Sequence, residues 1–351
     1  MKRRVAIVCG ALKIGGAEKM ITELVLNLDR EKYNVCLFCL GREQSSNLEK
    51  QIKKAGIKLV FCNIEGKVTL KKLMAFSKIL SKFKPEVIHT HISGAVYSLP
   101  YIVSHKVKHI HTLHTKPELE FSKSVSMIMS ILYKSKRSKL VTVSKENCVL
   151  AKKAFGQNCD ITFVNNGINI ERYYKKDHTV FSFINVGRQD SNKNQIMIID
   201  AFSKLFKHYS DIKLYLVGDG NQHDNLVRKV ASLDLQKAIV FPGMVDNGED
   251  FLAISDVYIQ SSHVEGLPLS VVEAMAAYLP IISTSVGGLT DIIKDNGILI
   301  PDNSTEDLYN AMEYLYKNQE KCKTMGVISR NISEDYSSKK MAAFYSDLYL
   351  H

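Results

Sequence analysis

Short apolar runs, rich in Val, Ile and Leu and bounded by polar or turn-forming residues, recur along the whole chain. Between them lie longer stretches whose apolar positions repeat with helical spacing. The short runs predict buried strands and the longer stretches predict amphipathic helices. In the first half, strands are predicted at Val5–Cys9, Val35–Leu40, Lys58–Cys62, Val87–Thr90, His109–Leu113, Leu140–Val143 and Ile161–Phe163. Helices are predicted between them, including Ala17–Leu28, Leu70–Phe83 and Glu146–Phe155. In the first of these, Met20, Leu24 and Leu28 share a face, with Ile21 and Val25 beside it. The pattern restarts at Phe181–Val186 and continues through Lys213–Val217, Ile239–Phe241, Val257–Gln260, Pro280–Thr284 and Gly297–Ile300.

Strands alternating with helices make parallel, doubly wound sheets. The chain is therefore expected to be α/β, with two Rossmann-like domains in tandem. The polar stretch Arg172–Thr179 (RYYKKDHT) marks the break. The expected domains are 1–172 and 173–335, and residues 336–351 form an aromatic amphipathic helix expected to pack back on the first domain. Ligands of such folds bind outside the carboxyl ends of the strands, so the expected site is a cleft that the two domains face.

Composition narrows the class. The chain has 351 residues, 45% hydrophobic and 24% charged, which suits two packed domains and excludes a disordered, collagen-like or disulfide-scaffold protein. Charge is uneven: residues 1–178 hold 32 Lys and Arg against 14 Asp and Glu, and the remainder holds 15 against 22. A basic half joined to an acidic one suggests different partners for each. The basic half suits anionic lipid, nucleic acid or a phosphorylated substrate; a solvated lysine-rich surface is the alternative. The seven cysteines lie mostly in apolar runs and read as free thiols of a reducing cytoplasm. Cys36 and Cys39 have CxxC spacing, but within a strand they point to opposite faces. No targeting or membrane-spanning segment is read, so any membrane contact is expected to be peripheral. The lysine-rich segment Lys67–Lys84 (KVTLKKLMAFSKILSKFK) reads as a membrane-surface helix or as a core helix with solvated lysines.

Four segments carry candidate chemistry. GALKIGGAEK, Gly10–Lys19, follows the first strand, and Gly15 and Gly16 open a helix whose amides suit an anion. Its spacing is not that of a dinucleotide fingerprint. NVGRQDSNKN, Asn185–Asn194, brings Arg188 and Lys193 to a strand's carboxyl end, where two cations can clamp a diphosphate. SSHVEGLPLSVVEAMAAYLP, Ser261–Pro280, places Glu265 in a loop and Glu273 one turn into a helix that starts near Leu269. Glu273 on that apolar helix is costly unless bonded, and a ribose diol would satisfy it. The fourth segment is histidine-rich: six of eleven histidines lie between 89 and 114, and His91 and His114 are expected at strand ends facing the cleft. No carboxylate or Cys completes a zinc ligand set there.

Together these segments resemble the retaining glycosyltransferases of family 4, with the GT-B fold. The resemblance runs through nearly the whole chain: GGAEK, HTLHT, VSKENCVLAKKAFG, VNNGIN, VGRQDSNKN, VGDG, VFPGMV, the EGLPLSVVE block and VGGLTDII. It implies that Arg188 and Lys193 neutralise a leaving diphosphate and that Glu273 binds ribose hydroxyls. Glu265, with the backbone of Gly266, Leu267, Pro268, Leu269 and Ser270, would hold donor sugar and phosphates. Gly15 and Gly16 would close over the diphosphate, while Phe241, Gly243 and Val245 would line the base. His114 matches the family's active-site histidine near the donor sugar. Two positions depart from the family pattern: Tyr278 replaces a small residue, and Asp291 stands where a Glu is usual.

The implied activity is metal-independent, retaining transfer of a hexose from a nucleotide-diphosphate sugar, with UDP favoured and no cofactor. The expected acceptor is a glycan or a polyprenyl-diphosphate-linked glycan of surface polysaccharide or lipopolysaccharide assembly. The expected location is the cytoplasm, including the inner face of an anionic membrane. Nucleic acid is not expected as a partner, because the basic half lacks interleaved aromatics or an RNA motif. Two alternatives remain: a sugar-nucleotide epimerase of the same fold, and a non-catalytic nucleotide-sugar-binding partner subunit. The basic first half argues against the first, and the presence of every site residue argues against the second.

Overall fold

A computed structural model describes residues 2–13 and 15–350. Internal contacts divide the chain into two units. One runs to Gly167 and includes the segment from Ser338; the other is Ile168–Ser337.

The first unit is built on seven strands: β1 (Arg3–Cys9), β2 (Tyr33–Cys39), β3 (Lys58–Phe61), β4 (Val87–His91), β5 (Lys108–Leu113), β6 (Ser138–Thr142) and β7 (Ile161–Phe163). Its helices are α1 (Gly16–Asn27), α2 (Asn47–Lys54), α3 (Leu70–Phe83), α4 (Gly94–Ser104), α5 (Pro117–Glu120), α6 (Lys123–Lys134) and α7 (Lys145–Phe155). The strand order is β3-β2-β1-β4-β5-β6-β7, and every pairing is parallel. Both faces are covered by helices, so the central strands are continuous apolar runs rather than alternating ones. The two-residue period sorts each strand between two core layers. Val5, Ile7 and Cys9 join α1, while Ala6 and Val8 join α3, α4, α6 and α7. Cys39 lies in the first layer and Cys36 in the second, on opposite faces of the sheet.

The second unit has six parallel strands: β8 (Phe181–Val186), β9 (Ile212–Val217), β10 (Ile239–Gly243), β11 (Val257–Gln260), β12 (Ile281–Thr284) and β13 (Gly297–Ile300). Their order is β10-β9-β8-β11-β12-β13. Its helices are α8 (Gln195–Phe206), α9 (His223–Ser232), α10 (Gly248–Ala253), α11 (Leu269–Ala276), α12 (Leu289–Ile292), α13 (Thr305–Lys317) and α14 (Gln319–Ser333). One face buries Ile198, Phe202 and Leu205 of α8 with Leu308 and Met312 of α13. The other buries Val271, Val272 and Met275 of α11. The chain is thus α/β with two doubly wound parallel sheets, as its hydrophobic pattern predicts.

The final helix, α15 (Ser338–Leu350), belongs to the first unit and packs on α1 through Met341, Ala342, Tyr345 and Tyr349. The Tyr349 hydroxyl reaches His89 Nδ1 at 2.7 Å, and that of Tyr345 reaches Thr112 Oγ1 at 2.8 Å. In each sheet the order reverses beside one strand, between β1 and β4 and between β8 and β11. The loops leaving those strands open the crevice where doubly wound folds bind ligands.

Candidate active site

In the second unit, β8 and β11 are hydrogen-bonded neighbours at the reversal. The loop after β8 carries Arg188 and Lys193, and the loop after β11 carries Glu265. Asp190 organises the first loop. One oxygen accepts the Lys193 amide at 3.0 Å, and the other lies 2.6 Å from Arg188 Nε. Arg188 is held at its base yet its side chain is 77% exposed, whereas that of Lys193 is 17% exposed. Lys193 Nζ meets Glu265 Oε1 at 2.5 Å.

That pair is set by a polar ladder on β11. Gln260 Nε2 donates to the same Glu265 oxygen at 3.0 Å and to Ser262 Oγ at 2.6 Å. The Tyr258 hydroxyl lies 3.0 Å from Gln260 Oε1 and 2.9 Å from Ser270 Oγ. Burial pushes the Tyr258 phenol up, so it stays protonated and able to donate. The two loops are also stitched together: Asn192 Nδ2 donates to the Val264 carbonyl at 3.0 Å, and Ser261 Oγ donates to the Lys193 carbonyl at 2.6 Å. Two glycines permit the close packing behind them. A Cβ on Gly218, at φ +129°, would land on the Gly187 carbonyl, and one on Gly287, at φ +51°, on the Glu265 carbonyl.

Helix α11 begins after Pro268 with no side-chain cap, which leaves its first-turn amides, Leu269 and Ser270 among them, available to an anion. Glu273 sits one turn in and is 6% exposed. Gly266 and Leu267 complete the loop, and the Gly266 carbonyl accepts the Gly288 amide at 3.0 Å. On the far side of β8, Phe241 meets the His223 ring edge-on at 5.6 Å. Gly243 takes φ +75°, a left-handed bend before Val245. Tyr278, in place of a small residue, also takes a left-handed φ of +62°, with Arg330 5.6 Å over its ring.

The structure thus brings Lys193, Glu265 and the start of α11 together and keeps Arg188 beside them through Asp190. Gly15, Gly16 and His114 belong to the first unit. Gly15 precedes α1, and the Glu18 carboxylate folds back over it. An acid thus occupies the anion-favouring end of α1, and partial burial raises its pKa.

His114 follows β5, and its Nε2 lies 2.9 Å from His91 Nδ1. His91 does not face an open site: it is wholly buried, because it ends a central strand covered on both faces. Among the described residues its Nε2 has no hydrogen-bond partner. The next residue, Ile92, is β-branched at φ +51°, a strained conformation of the kind that gathers at functional sites. Burial, with a smaller contribution from His111, lowers the His114 pKa to about 4. His89 and His91 are lowered too, chiefly by burial. Glu120 supports this end of β5, accepting the His114 amide at 3.2 Å. Its other oxygen stands 2.9 Å from His111 Nε2, too poorly aligned for a hydrogen bond.

Sequence reasoning passed over Asp190, Gln260, Tyr258 and Glu120. Asp190 was visible inside RQDSNKN as the acid between two cations. Gln260 and Tyr258 read as ordinary strand residues. Glu120 ends the short helix α5 and gains meaning only when folded against β5. Among the described residues no cluster of three or more His, Cys, Asp or Glu could hold a metal ion.

Comparison with known proteins agrees with this arrangement. The profile of "Glycosyl transferases group 1" matches residues 168–331, and that of "Glycosyltransferase Family 4" matches residues 14–172. The chain is 27% identical over 283 residues to the N-acetyl-alpha-D-glucosaminyl L-malate synthase of Bacillus anthracis, covering 75% of this chain and 74% of that protein. It is 23% identical to the UDP-Gal:alpha-D-GlcNAc-diphosphoundecaprenol alpha-1,3-galactosyltransferase of Escherichia coli, covering 96% and 94%. Among solved structures, HepE of Anabaena in complex with UDP and glucose shares the fold, with a TM-score of 0.82 and 16% identity over 98% of both chains.

Proposed function

Taking the chain as a glycosyltransferase of the family 4 type with the GT-B fold, we propose that it moves a hexose from a UDP-sugar to a hydroxyl of a glycan or lipid-linked glycan, with retention at the anomeric carbon. The observation that carries the reading is the Lys193–Glu265 pair, 2.5 Å apart at the reversal of the second sheet and next to the start of α11. A largely buried cation, an exposed guanidinium and uncapped helix amides offer a site for a diphosphate. A carboxylate alongside, on the same loop, suits sugar hydroxyls.

The protein's task in such a transfer is to stabilise charge. As the glycosidic bond breaks, negative charge grows on the leaving diphosphate. Lys193, Arg188 and the α11 amides offset it from fixed positions, so the barrier falls without a metal. The leaving oxygen then takes the acceptor proton on the same face of the sugar. Glu265 holds Lys193 in place before the donor arrives and offers its second oxygen to the sugar. Glu273, one turn into α11, binds the ribose diol, the role that the family resemblance implies. His114, neutral at physiological pH, keeps the donor-sugar role that the family resemblance implies.

The UDP preference is supported by UDP in the HepE complex and in the name of the Escherichia coli relative. That name, with its diphosphoundecaprenol acceptor, also supports a lipid-linked acceptor; a place in surface-polysaccharide or lipopolysaccharide assembly is part of the same proposal. A thermal-shift titration with UDP, GDP and ADP, each in chelator, tests the reading. UDP at 100 times its Kd should add about 2.7 kcal/mol of stability. A response to GDP or ADP alone would overturn the donor, and no response to any would overturn the diphosphate site.

A further inference from the structure

Helix α6 is apolar on two sides. Its inner side, Met129, Leu132 and Tyr133, is buried against the sheet. Its outer side carries Met127 and Ile131, one turn apart and 67% and 61% exposed, with Ile128 beside them. Leu119 and Val149, on the neighbouring α5 and α7, are exposed as well. A groove of about 680 Å³ runs along α6, lined by Phe121, Met127 and Ile131 and by the row Ser122, Ser126 and Ser130. Surface helices normally confine apolar residues to one stripe, and a second, exposed stripe marks a contact surface.

The charge around this stripe selects the partner. Lys123 and Lys134 stand at the two ends of α6 and line the groove. Lys136, Arg137, Lys152 and Lys153 are exposed nearby. From Lys116 to Lys153 the chain has nine Lys and Arg against three Glu, and one of these, Glu120, is buried. A second copy of the chain would set these lysines against themselves. An anionic bilayer offers phosphates to the lysines and acyl chains to the methionine and isoleucines.

We propose that α6 is the element by which the protein docks on an anionic membrane surface, with Met127, Ile128 and Ile131 below the headgroups and Lys123 and Lys134 among them. This deepens the reading of a lipid-linked acceptor by naming the surface. The lysine-rich α3, which buries Phe76 and Leu80 but exposes Leu70 and Met74, is the competing element that the test separates from α6. The proposal rests on that reading only for its purpose, since lipid binding is read without donor or acceptor.

The test is flotation of the full chain with vesicles of phosphatidylcholine, with and without phosphatidylglycerol. The wild type should float with the anionic vesicles alone and be released by salt. Met127→Ser with Ile131→Ser should lower the partition coefficient by about tenfold or more. Lys123→Glu with Lys134→Glu should do the same, while Leu70→Ser with Met74→Ser on α3 should leave it unchanged. All six positions are exposed, so equal melting temperatures will separate docking from misfolding. Wild type that stays unbound, or equal flotation of the α6 variants, would overturn the proposal. So would a dimer in light scattering that Met127→Ser with Ile131→Ser converts to monomer, since the stripe would then be a self-interface. UDP binding unaltered in the α6 variants would leave the transfer reading intact whichever way flotation falls.

Discussion

His91 Nδ1 and His114 Nε2 lie 2.9 Å apart, and one proton must lie between them. Burial keeps both rings neutral, so His91 fixes which nitrogen of His114 faces outward as donor or acceptor. Replacing His91 with Phe should lower kcat by about tenfold or more while leaving the donor KM nearly unchanged. His91→Asn, which keeps a hydrogen-bonding group, should recover part of the loss. Nitrogen-15 NMR of the histidines should show a changed His114 tautomer in His91→Phe; an unchanged one would remove His91 from the account.

The same histidines make stability depend on pH. His89, His91, His109 and His114 are all pushed below 6.5 by burial, His109 to about 3 and His114 to about 4. Below pH 6.5 the unfolded chain takes up protons that the folded chain refuses, so stability falls as pH falls towards 4. Each such group contributes about 1.4 kcal/mol per pH unit. Glu18, whose pKa is raised, works in the opposite direction. Urea unfolding followed by circular dichroism at pH 7, 6 and 5 should show a slope steeper than that of one proton, whereas a flat profile would contradict the burial of these rings as neutral species.

Asp190 touches both cations of the proposed diphosphate site, one through a side chain and one through the backbone. Asp190→Ala should weaken UDP binding by about tenfold, roughly 1.4 kcal/mol, with little change in melting temperature. Calorimetric titration reads this directly, and unchanged affinity would mean the loop holds its shape without the carboxylate.

Tyr349 bonds His89 in the core of the first unit. Tyr349→Phe leaves that ring nitrogen buried without a partner, at a cost of about 1–3 kcal/mol. The unfolding midpoint should fall; an unchanged midpoint would show that the Tyr349 hydroxyl contributes nothing to holding α15.

The fold was legible because a strand buried on both faces must be apolar throughout. Phe181–Val186 and Gly297–Ile300 were read with the bounds they adopt. The placement of Arg188, Lys193 and Glu265 on strand-end loops was legible because Gly, Lys and Glu cluster directly after apolar runs. The support of those residues was not. Tyr258 and Gln260 alternate on a strand in a way that core packing also produces, and their contacts with Ser270 and Glu265 arise only when loop and helix close over β11. His91 was misjudged for a related reason: sequence shows that a histidine ends a strand, but whether a neighbouring strand's loop covers it is a tertiary fact. The apolar outer side of α6 was not legible in the sequence, because only the folded structure shows that Met127 and Ile131 stay exposed while Met129, Leu132 and Tyr133 of the same helix are buried.

The central claim is that Lys193 stabilises charge on a departing nucleoside diphosphate. It is tested most directly by release of UDP from a panel of UDP-hexoses in chelator, wild type against Lys193→Ala. The wild type should release UDP slowly from at least one donor, and the variant should lose about 100- to 1,000-fold, equivalent to about 2.7–4 kcal/mol of barrier. Equal rates in the two proteins, or no release from any UDP-sugar under conditions where GDP- or ADP-sugars are cleaved, would contradict it.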